Sequence, residues 1–426
     1  MRPRTADMAI LPGMIRILHT SDWHLGLELG GHDRLEEQER FLDWLLTTVR
    51  DRNVNALLVC GDLYDTANPS VAAQRLFGEF LVRFHRECPD CSLVCIAGNH
   101  DSASRLELPR PFGLALGGIH LKGQVTEAPL DHLIGLRDGN GDLAAWCVAL
   151  PFLRASDLDC RMLEGQTPQD AFQKAVGRKY REVREAIPVE SRHLPVVNIG
   201  HLTLAGSDRA GSERILIGGV ESVPVSALLE DAAYVALGHI HRPQKVGAES
   251  VRYCGSPYPV AFDEHRYEHS VLVVELAQGH PAGVEVVPVP EFVPFLTFCD
   301  PPRPWDAVER AIADFDWSAW NKVPRGLQPL VELRYDASIP VSDLRKRCED
   351  LCRNKPFRLV AAPRSAITGP VAHAAALPPV HLEDREAPEA LLERHWRGKY
   401  ANPVPAAVLD CFHEALTDVA IGSVTP

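Results

Sequence analysis

Five short polar segments, each at the end of an apolar run, constrain the fold of this chain more than any other feature. In chain order they are Asp22-Trp23-His24, Gly61-Asp62-Leu63-Tyr64-Asp65, Gly98-Asn99-His100-Asp101, Gly200-His201 and Gly238-His239-Ile240-His241. The preceding runs, for example 56–59 and 93–96, are apolar and largely β-branched, which is typical of buried strands. A sheet built from such strands would collect the polar side chains of all five segments along one edge.

The alternation of strand-like and helix-like stretches predicts an α/β layer fold. A strand at 15–19 precedes an amphipathic helix at about 33–50, and Pro69-Ser70 opens a second helix. Further apolar runs at 196–199, 234–237 and 271–276 either extend the same sheet or form a second sheet packed against it. The charged, helix-like stretch at 154–190 is expected to be a peripheral insertion.

Length and proline content divide the chain into several segments. At 426 residues the chain exceeds the size at which single cores usually stop growing, so more than one domain is expected. Residues 1–13 form a predicted N-terminal extension, and 14–278 contain all five polar segments. Prolines at 278–304 are expected to break any long helix or central strand. Alternating helix-like and strand-like stretches then predict a small α/β module at 290–365.

The last part of the sequence is predicted to be a linker followed by helices. Residues 366–385 are rich in Ala and Pro, and 386–426 contain two helical segments with apolar stripes. Such stripes either bind a partner protein or pack back on their own chain, and the sequence leaves both possibilities open.

Composition argues against several classes of protein. No apolar run approaches the roughly 20 residues that cross a bilayer, and no secretory signal is evident, so a cytoplasmic protein without membrane contact is expected. Eleven cysteines without framework spacing suit a reducing compartment. Cys88, Cys91 and Cys95 suggest zinc, but Cys95 lies in an apolar run and no second pair follows. The net charge of −13 disfavours coating of nucleic acid, although divalent cations can supply local positive charge.

The donor types in the five segments predict two divalent metal ions. Carboxylate, amide oxygen and imidazole suit Mn²⁺, Fe²⁺ or Zn²⁺. Asp62 is the best candidate for a bridge, because a carboxylate can give one oxygen to each ion and Gly61 lets the backbone turn tightly. His239 and His241 share a face if the backbone is extended, so both can reach one site. Such a pair of ions activates a shared water for attack on phosphorus, so no protein nucleophile is required.

His100 is predicted to be the proton donor to the leaving alkoxide, because it follows the candidate ligand Asn99 without being needed as a ligand itself. Asp101 is expected to orient the His100 imidazole and keep it protonated. Asp65 is expected to orient one of the ligand histidines. For both aspartates, helix capping or turn bonding is an equally good interpretation.

These motifs together resemble the calcineurin-like metallophosphoesterase superfamily. The stretches at 18–26, 61–66 and 253–257 (Leu-His-Thr-Ser-Asp-Trp-His-Leu-Gly, Gly-Asp-Leu-Tyr-Asp-Thr and Tyr-Cys-Gly-Ser-Pro) narrow the resemblance to the bacterial SbcD family of nuclease subunits, relatives of the double-strand-break-repair nucleases. The resemblance implies a two-sheet sandwich flanked by helices, a small α/β capping module and a C-terminal helical hairpin.

The same resemblance implies a ligand set, a metal, a substrate and partners. One ion would be held by Asp22, His24, Asp62 and His241, and the other by Asp62, Asn99, His201 and His239, with Mn²⁺ as the metal. His100 would act on the substrate phosphate. The family removes nucleotides 3′ to 5′ from double-stranded DNA ends and cuts hairpin or protein-blocked ends in DNA repair and recombination. It is dimeric through helices of the nuclease domain, and its C-terminal segment binds an SbcC-type ABC ATPase.

Two other functions remain possible from the sequence. The first is a phosphoesterase for small phosphomonoesters or cyclic nucleotides on the same scaffold. It would need a closed pocket, and the module after the proline-rich stretch argues against one. The second is a metal-bound scaffold without catalytic activity, which the complete ligand set and His100 disfavour. Protein phosphatases of the superfamily have Glu where this chain has Asp101.

Overall fold

The computed structural model describes residues 14–162, 165–208, 222–278, 282–336, 341–361 and 364–365, with a few single positions beyond them. The predicted extension at 1–13, the linker at 366–385 and, apart from those single positions, the helices at 386–426 lie outside the described residues. The chain divides into two compact units, Met1–Ile367 and Thr368–Pro426, and all the elements given below belong to the first.

The strands in chain order are β1 (Ile15–Thr20), β2 (Glu28–Leu29), β3 (His32–Asp33), β4 (Ala56–Cys60), β5 (Ser92–Ile96), β6 (Ile119–Lys122), β7 (Leu133–Arg137), β8 (Leu143–Ala149), β9 (Val196–His201), β10 (Tyr234–Gly238), β11 (Gln244–Val246), β12 (Ala248–Tyr253), β13 (Ser270–Leu276), β14 (Gly283–Pro288), β15 (Phe295–Arg303), β16 (Leu330–Asp336), β17 (Arg358–Ala361) and β18 (Arg364–Ser365). The helices are α1 (Leu35–Asp51), α2 (Val71–Glu87), α3 (Ala103–Leu106), α4 (Arg110–Leu116), α5 (Pro168–Glu185), α6 (Ser226–Leu229), α7 (Trp305–Asp314) and α8 (Val341–Cys352).

Two six-stranded sheets form the main body of the described structure. The first has the order β14-β13-β1-β4-β5-β6 and the second has the order β11-β12-β10-β9-β8-β7. Their inner faces share one apolar core, to which Ile17 and Leu58 contribute from the first sheet and Cys147 and Ile199 from the second. The expected sandwich is confirmed, because the later apolar runs at 196–199 and 234–237 form the second sheet while 271–276 joins the first.

Helices cover the outer faces of both sheets. Phe41 of α1 and Phe80 of α2 are buried against the first sheet. Val176, Tyr180 and Val183 of α5 are buried against the second sheet. The prediction that 154–190 forms a peripheral insertion is therefore wrong, because α5 buries an apolar stripe that one face of the second sheet needs. None of the helices in the described ranges is both long and apolar enough to cross a bilayer.

A third, four-stranded sheet lies beyond the sandwich. Here β15, β16 and β17 pair in that order, β18 pairs with β16, and α7 and α8 contribute to its core. We call these elements, at 295–365, the small module. The predicted alternation of helix-like and strand-like stretches is confirmed, since β15, α7, β16, α8 and β17 follow one another along the chain. The proline-rich stretch nevertheless contains β14 and β15. Both are edge strands, where a proline removes no hydrogen bond that a neighbouring strand needs.

The cysteines that suggested zinc are buried thiols. Cys88, Cys91 and Cys95 lie in the core on the helix-covered face of the first sheet. Burial raises the pKa of all three thiols. A raised thiol pKa disfavours the thiolate that binds zinc, so these residues are packing groups.

Candidate metal centre

The five polar segments meet where parallel strands of the two sheets end. In the first sheet β1, β4 and β5 run parallel, and in the second β9 runs parallel to β10. His201 is the last residue of β9, and His239 directly follows β10. Asp22, Asp62 and Asn99 follow β1, β4 and β5 within a few residues. Carboxyl ends of parallel strands are the usual place for a ligand site in such sheets.

The backbone of this edge adopts a conformation that side-chain-bearing residues rarely take. Asp22, His24, Asp62 and His239 have φ angles of 54°, 43°, 49° and 97°. Each such residue costs on the order of 1 kcal/mol or more, and persists only where neighbours fix it. Here the first two segments bond to each other, because the Asp22 and His24 amides donate to the carbonyls of Gly61 and Asp62 at 3.0 Å each. This fixed backbone places the side chains of Asp22, His24 and Asp62 close together.

Two glycines allow the segments to approach closely. A Cβ atom on Gly98 would lie 2.1 Å from Asp62 Oδ1. A Cβ atom on Gly61, whose φ is +89°, would lie 2.2 Å from His201 Nδ1. Both separations are far below contact distance, so no other residue fits at either position without moving a predicted ligand.

One cluster of predicted ligands consists of Asp22, His24 and His241, whose ligand atoms all lie within 4.8 Å of one another. Nε2 of His24 is 3.3 Å from Nε2 of His241 and 3.8 Å from Oδ2 of Asp62. All four residues are at most 4% exposed. Two imidazole nitrogens that face each other beside carboxylates suit a shared cation, and these are the residues that the family resemblance implies for one ion.

The second cluster consists of Asp62, His201 and His239, again within 4.8 Å of one another, together with Asn99. Oδ1 of Asn99 is 2.9 Å from His201 Nε2 and 3.0 Å from His239 Nδ1. Oδ2 of Asp62 is 3.3 Å from His201 Nε2. These groups can hold the second predicted ion.

Asp62 lies between the two clusters and faces both of them through a single oxygen. Its Oδ2 faces both His24 and His201, whereas Oδ1 accepts the backbone N–H of His100 at 2.8 Å. The sequence suggested one oxygen for each ion. The structure instead commits Oδ1 to the third segment, because the turn at His100 places an amide against it, and leaves Oδ2 as the atom between the two clusters.

The electrostatics of the clusters favour added positive charge. Burial alone would raise the pKa of Asp62, but the charges of His201, His24 and His100 outweigh burial and lower it. Burial alone would lower the pKa of His201, but Asp62 and Asp22 outweigh burial and raise it to about 9. A proton on His201 and a bound cation are two ways to balance the same carboxylates. The donor set therefore fits divalent metal ions.

His100 lies beside the clusters and is partly exposed. Its Nδ1 is 2.7 Å from the backbone carbonyl of Asp65, and its ring centroid is 4.8 Å from that of His24. A carbonyl oxygen only accepts hydrogen bonds, so Nδ1 carries a proton and Nε2 is the atom that exchanges one. The ligand atoms of His24, Asp62 and His100 also lie within 4.8 Å of one another, so the geometry permits His100 to touch a metal.

The structure corrects the role expected for Asp101. Its carboxylate accepts backbone N–H groups from Gly98 at 2.8 Å, Leu63 at 3.0 Å and Tyr64 at 2.9 Å. Asp101 thus fastens two of the polar segments together instead of orienting the His100 imidazole, which the Asp65 carbonyl holds. Turn bonding, the other interpretation of this residue, prevails because the strand ends leave amides that need an acceptor. Burial and the nearby Asp62 charge raise the pKa of Asp101 to about 6.

Asp65 lies beside one of the predicted ligand histidines, with Oδ1 3.4 Å from Nδ1 of His24. Three further contacts were not foreseen. Glu264 is fully buried with Oε1 2.8 Å from Nδ1 of His241, and the Ser21 hydroxyl donates to Asp22 Oδ2 at 2.5 Å. The Gln38 side chain donates to the His24 carbonyl at 3.0 Å. Ser21 could have been suspected as a neighbour of Asp22, but Glu264 and Gln38 follow no strand and have no local signal.

Comparison with known proteins places this geometry in a family. The family model for calcineurin-like phosphoesterase matches residues 15–243. The SbcD subunit of the SbcCD nuclease from Rhodobacter capsulatus is 38% identical over 386 residues, which cover 88% of this chain and 93% of that protein. The proteins of the same name from Escherichia coli K12 and Bacillus subtilis 168 are 37% and 35% identical, over 65% and 63% of this chain and 68% of each relative. This chain therefore belongs to the SbcD family of metal-dependent nuclease subunits within the calcineurin-like phosphoesterases.

Proposed function

We propose that this chain is a two-metal DNA nuclease subunit that hydrolyses phosphodiester bonds 3′ to 5′ from double-stranded ends and cuts hairpin or blocked ends in DNA repair and recombination. The observation that supports this best is Asp62 Oδ2, which faces His24 at 3.8 Å and His201 at 3.3 Å. One buried oxygen between two ligand clusters is the arrangement that a pair of ions needs. The net charge of −13 makes such ions the source of positive charge for a DNA phosphate.

The proposed ligands of one ion are Asp22, His24, Asp62 and His241, and those of the other are Asp62, Asn99, His201 and His239. Mixed oxygen and imidazole donors, without thiolate, are compatible with Mn²⁺ as the resident metal. Bound divalent ions would supply polarisation of a phosphoryl oxygen and a water of lowered pKa. The protein contributes buried ligands whose backbone is already fixed, so little reorganisation accompanies binding.

His100 is proposed to protonate the leaving alkoxide. Among His100 and the proposed metal ligands only Asn99 and His100 are partly exposed, so a phosphodiester approaches from their side. The Asp65 carbonyl accepts a hydrogen bond from Nδ1–H of His100 at 2.7 Å and thereby fixes the ring. Nε2 of His100 is then the nitrogen that donates a proton to the leaving group. Asp65 and Glu264 are proposed to orient His24 and His241 through their Nδ1 atoms.

A substrate panel tests the proposed activity against its alternative. Purified chain with Mn²⁺ is expected to degrade linear duplex DNA and open hairpin DNA, to act weakly on p-nitrophenyl phosphate, and to lose all activity in EDTA. The comparison of rates separates the nuclease from an enzyme for small phosphomonoesters or cyclic nucleotides. Hydrolysis of the small esters at a higher rate than DNA, with no shortening of duplex ends, would contradict the nuclease assignment.

The small module is proposed to cap the DNA at the metal centre, as part of a domain order of extension, nuclease domain at 14–278, capping module at 290–365, linker and C-terminal helices. The module has its own apolar core with Trp305, Val308 and Leu333 buried in it. Hydrogen bonds between its strand β17 and the hairpin β2–β3 hold it beside the segment that carries His24.

A homodimer is proposed to form through helices of the nuclease domain. Leu108, in the turn before α4, and Phe112 and Leu116, in α4, are four residues apart and are 64%, 72% and 45% exposed. Large apolar groups so close together on the surface favour a second copy as the partner, because the same patch can then bury itself.

Phe112→Glu is expected to convert a dimer into a monomer, because a carboxylate would be buried in the contact. The dimer dissociation constant should rise at least about 30-fold, corresponding to about 2 kcal/mol at an interface hot spot. Light scattering after size-exclusion chromatography measures this. Val189→Glu is the control, since Val189 is 74% exposed outside that patch. A native chain that is monomeric at high concentration would refute the dimer.

An SbcC-type ABC ATPase is proposed to bind the C-terminal segment at 386–426, and a cytoplasmic location follows from this partnership. The support is the apolar stripes predicted from the sequence. A chain that ends at 385 is expected to lose co-purification with the ATPase subunit of the same organism while keeping its Mn²⁺-dependent hydrolysis. Undiminished co-purification of the shortened chain would count against this segment as the binding site.

A further inference from the structure

Two buried arginines lie where the small module meets the sandwich. Arg34 has no exposed surface and Arg358 has 2% of its surface exposed. Arginine is rarely buried to this extent without a defined partner set. These two residues are not among the proposed metal ligands, so their burial needs a separate explanation.

Arg34 contacts both the sandwich and the small module. On the sandwich side its guanidinium lies 2.7 Å from Oε2 of Glu37 and donates to the carbonyl of Pro259. Its Cζ lies 5.2 Å from the ring centroid of Tyr258 and 5.3 Å from that of Phe295, the first residue of β15. Phe295 belongs to the small module, so one cation is held between an aromatic ring of each body.

A second set of contacts joins the module to the short hairpin β2–β3. Arg358 donates to the carbonyl of Asp33 at 2.8 Å, and Nε2 of His32 is 2.8 Å from the carbonyl of Leu359. The backbone of Gly30 also packs on β17, since a Cβ there would lie 2.5 Å from the Val360 carbonyl oxygen. The hairpin therefore follows β17 closely. It lies in the chain between His24 and Arg34.

Two series of hydrogen bonds connect the neighbours of Arg34 with the metal centre. In the first, Gln38 on the first turn of α1 donates to the His24 carbonyl at 3.0 Å and accepts the Gly26 amide at 2.9 Å. In the second, the Tyr258 hydroxyl donates to the Trp23 carbonyl, directly before His24. Along the same stretch, Glu264 accepts the Val260 amide at 2.8 Å and holds His241.

We propose that Arg34 is a positioning residue, the centre of a rigid joint through which the placement of the small module fixes the His24 and His241 side of the metal centre. This rests on the proposed function in taking those histidines as ligands of one ion. Arg34 touches the module through Phe295 and the first turn of α1 through Glu37. Neither the module nor the sandwich can therefore shift without changing the contacts of Arg34. A DNA duplex that moved the module would therefore change the affinity of that one ion site.

The joint is tested by the double substitution Arg34→Met with Glu37→Leu, because replacing both members of a buried ion pair by apolar groups preserves folding better than replacing one. Isothermal titration with MnCl₂ is expected to show two sites, of which one binds about 10-fold more weakly than in the native chain. Hydrogen exchange without metal should become faster at the amides of Asp22, His24 and His239 and in the strands β3 and β17.

Arg266→Met is the matched control, since Arg266 also links the sandwich to the module, through Asp300 at 3.3 Å, but its side chain is 63% exposed. It should leave Mn²⁺ binding and exchange unchanged. Native affinity and native exchange in the folded double variant would overturn the joint. If that variant does not fold, Gln38→Leu decides, because it removes the hydrogen bond to the His24 carbonyl directly. Faster exchange in β17 as well as at His24 supports the joint, and faster exchange at His24 with native exchange in β17 refutes it. Hydrogen exchange is measured without metal, so it tests the joint independently of metal binding. A native chain that binds fewer than two Mn²⁺ ions would refute the proposed function and not the joint.

Discussion

Asp62→Asn is expected to remove Mn²⁺-dependent hydrolysis and to reduce the bound Mn²⁺ from two ions to one or none. The substitution replaces the shared carboxylate, and the introduced amide presents either an N–H group or an uncharged oxygen to His24 and His201. Loss of a preorganised charge at a reacting centre lowers rates by about 10³-fold, and we expect at least that loss here because two ions depend on one atom.

Stoichiometry and thermal stability measure this result without reference to activity. Metal at 100 times its dissociation constant stabilises the native chain by about 2.7 kcal/mol per site, so Mn²⁺ should raise the melting temperature of the native protein and not that of the variant. Asp138→Asn is the control, because Asp138 is also buried but accepts the amides of Asn140 and Asp142 in a turn. Two equivalents of tightly bound Mn²⁺ in Asp62→Asn would refute the shared-oxygen arrangement.

His100→Leu is expected to lower the rate of duplex cleavage by about 10²- to 10⁴-fold while two Mn²⁺ ions stay bound. The physical reason is that the ring supplies a proton from Nε2 and is held by the Asp65 carbonyl. Measurement requires single-turnover cleavage of linear duplex DNA alongside Mn²⁺ titration of the same preparation. His85→Leu on α2 is the control for loss of a half-buried imidazole elsewhere, and it should change the rate less than about two-fold.

The same pair of measurements separates the two roles that the geometry allows for His100. Because its ligand atom lies within 4.8 Å of those of His24 and Asp62, a metal-binding role would show as loss of one Mn²⁺ together with loss of activity. That outcome would contradict the assignment as proton donor. Native cleavage rates with both ions bound would remove His100 from the chemistry altogether.

The predicted ligands come together because each follows a strand that can be recognised locally. A buried parallel strand is recognisable in the sequence as a short apolar run. The residues that follow adjacent parallel strands lie at the same edge of the sheet. Asp22, Asp62, Asn99 and His201 could therefore be grouped without knowledge of sheet order. For His239 and His241 the grouping needed only that they follow the run that became β10.

The corrections concern features that depend on sequence-distant neighbours. Asp101 accepts hydrogen bonds from the amides of Leu63 and Tyr64. Whether an aspartate accepts from backbone amides or from an imidazole depends on turn geometry, which composition does not specify. The helix α5 looked peripheral because its outer face is charged. The prolines of β14 and β15 are tolerated only because those strands became edges.

From the sequence alone came the chemistry: the donor types, their spacing behind strands, the α/β class and the family resemblance, all of which are properties of short segments. Only the tertiary structure decided that one oxygen of Asp62 faces both clusters, that Glu264 holds His241, and that Arg34 is buried between two bodies. These are contacts between segments far apart in the chain. Their geometry is set by how two sheets and a module pack, which no local pattern encodes.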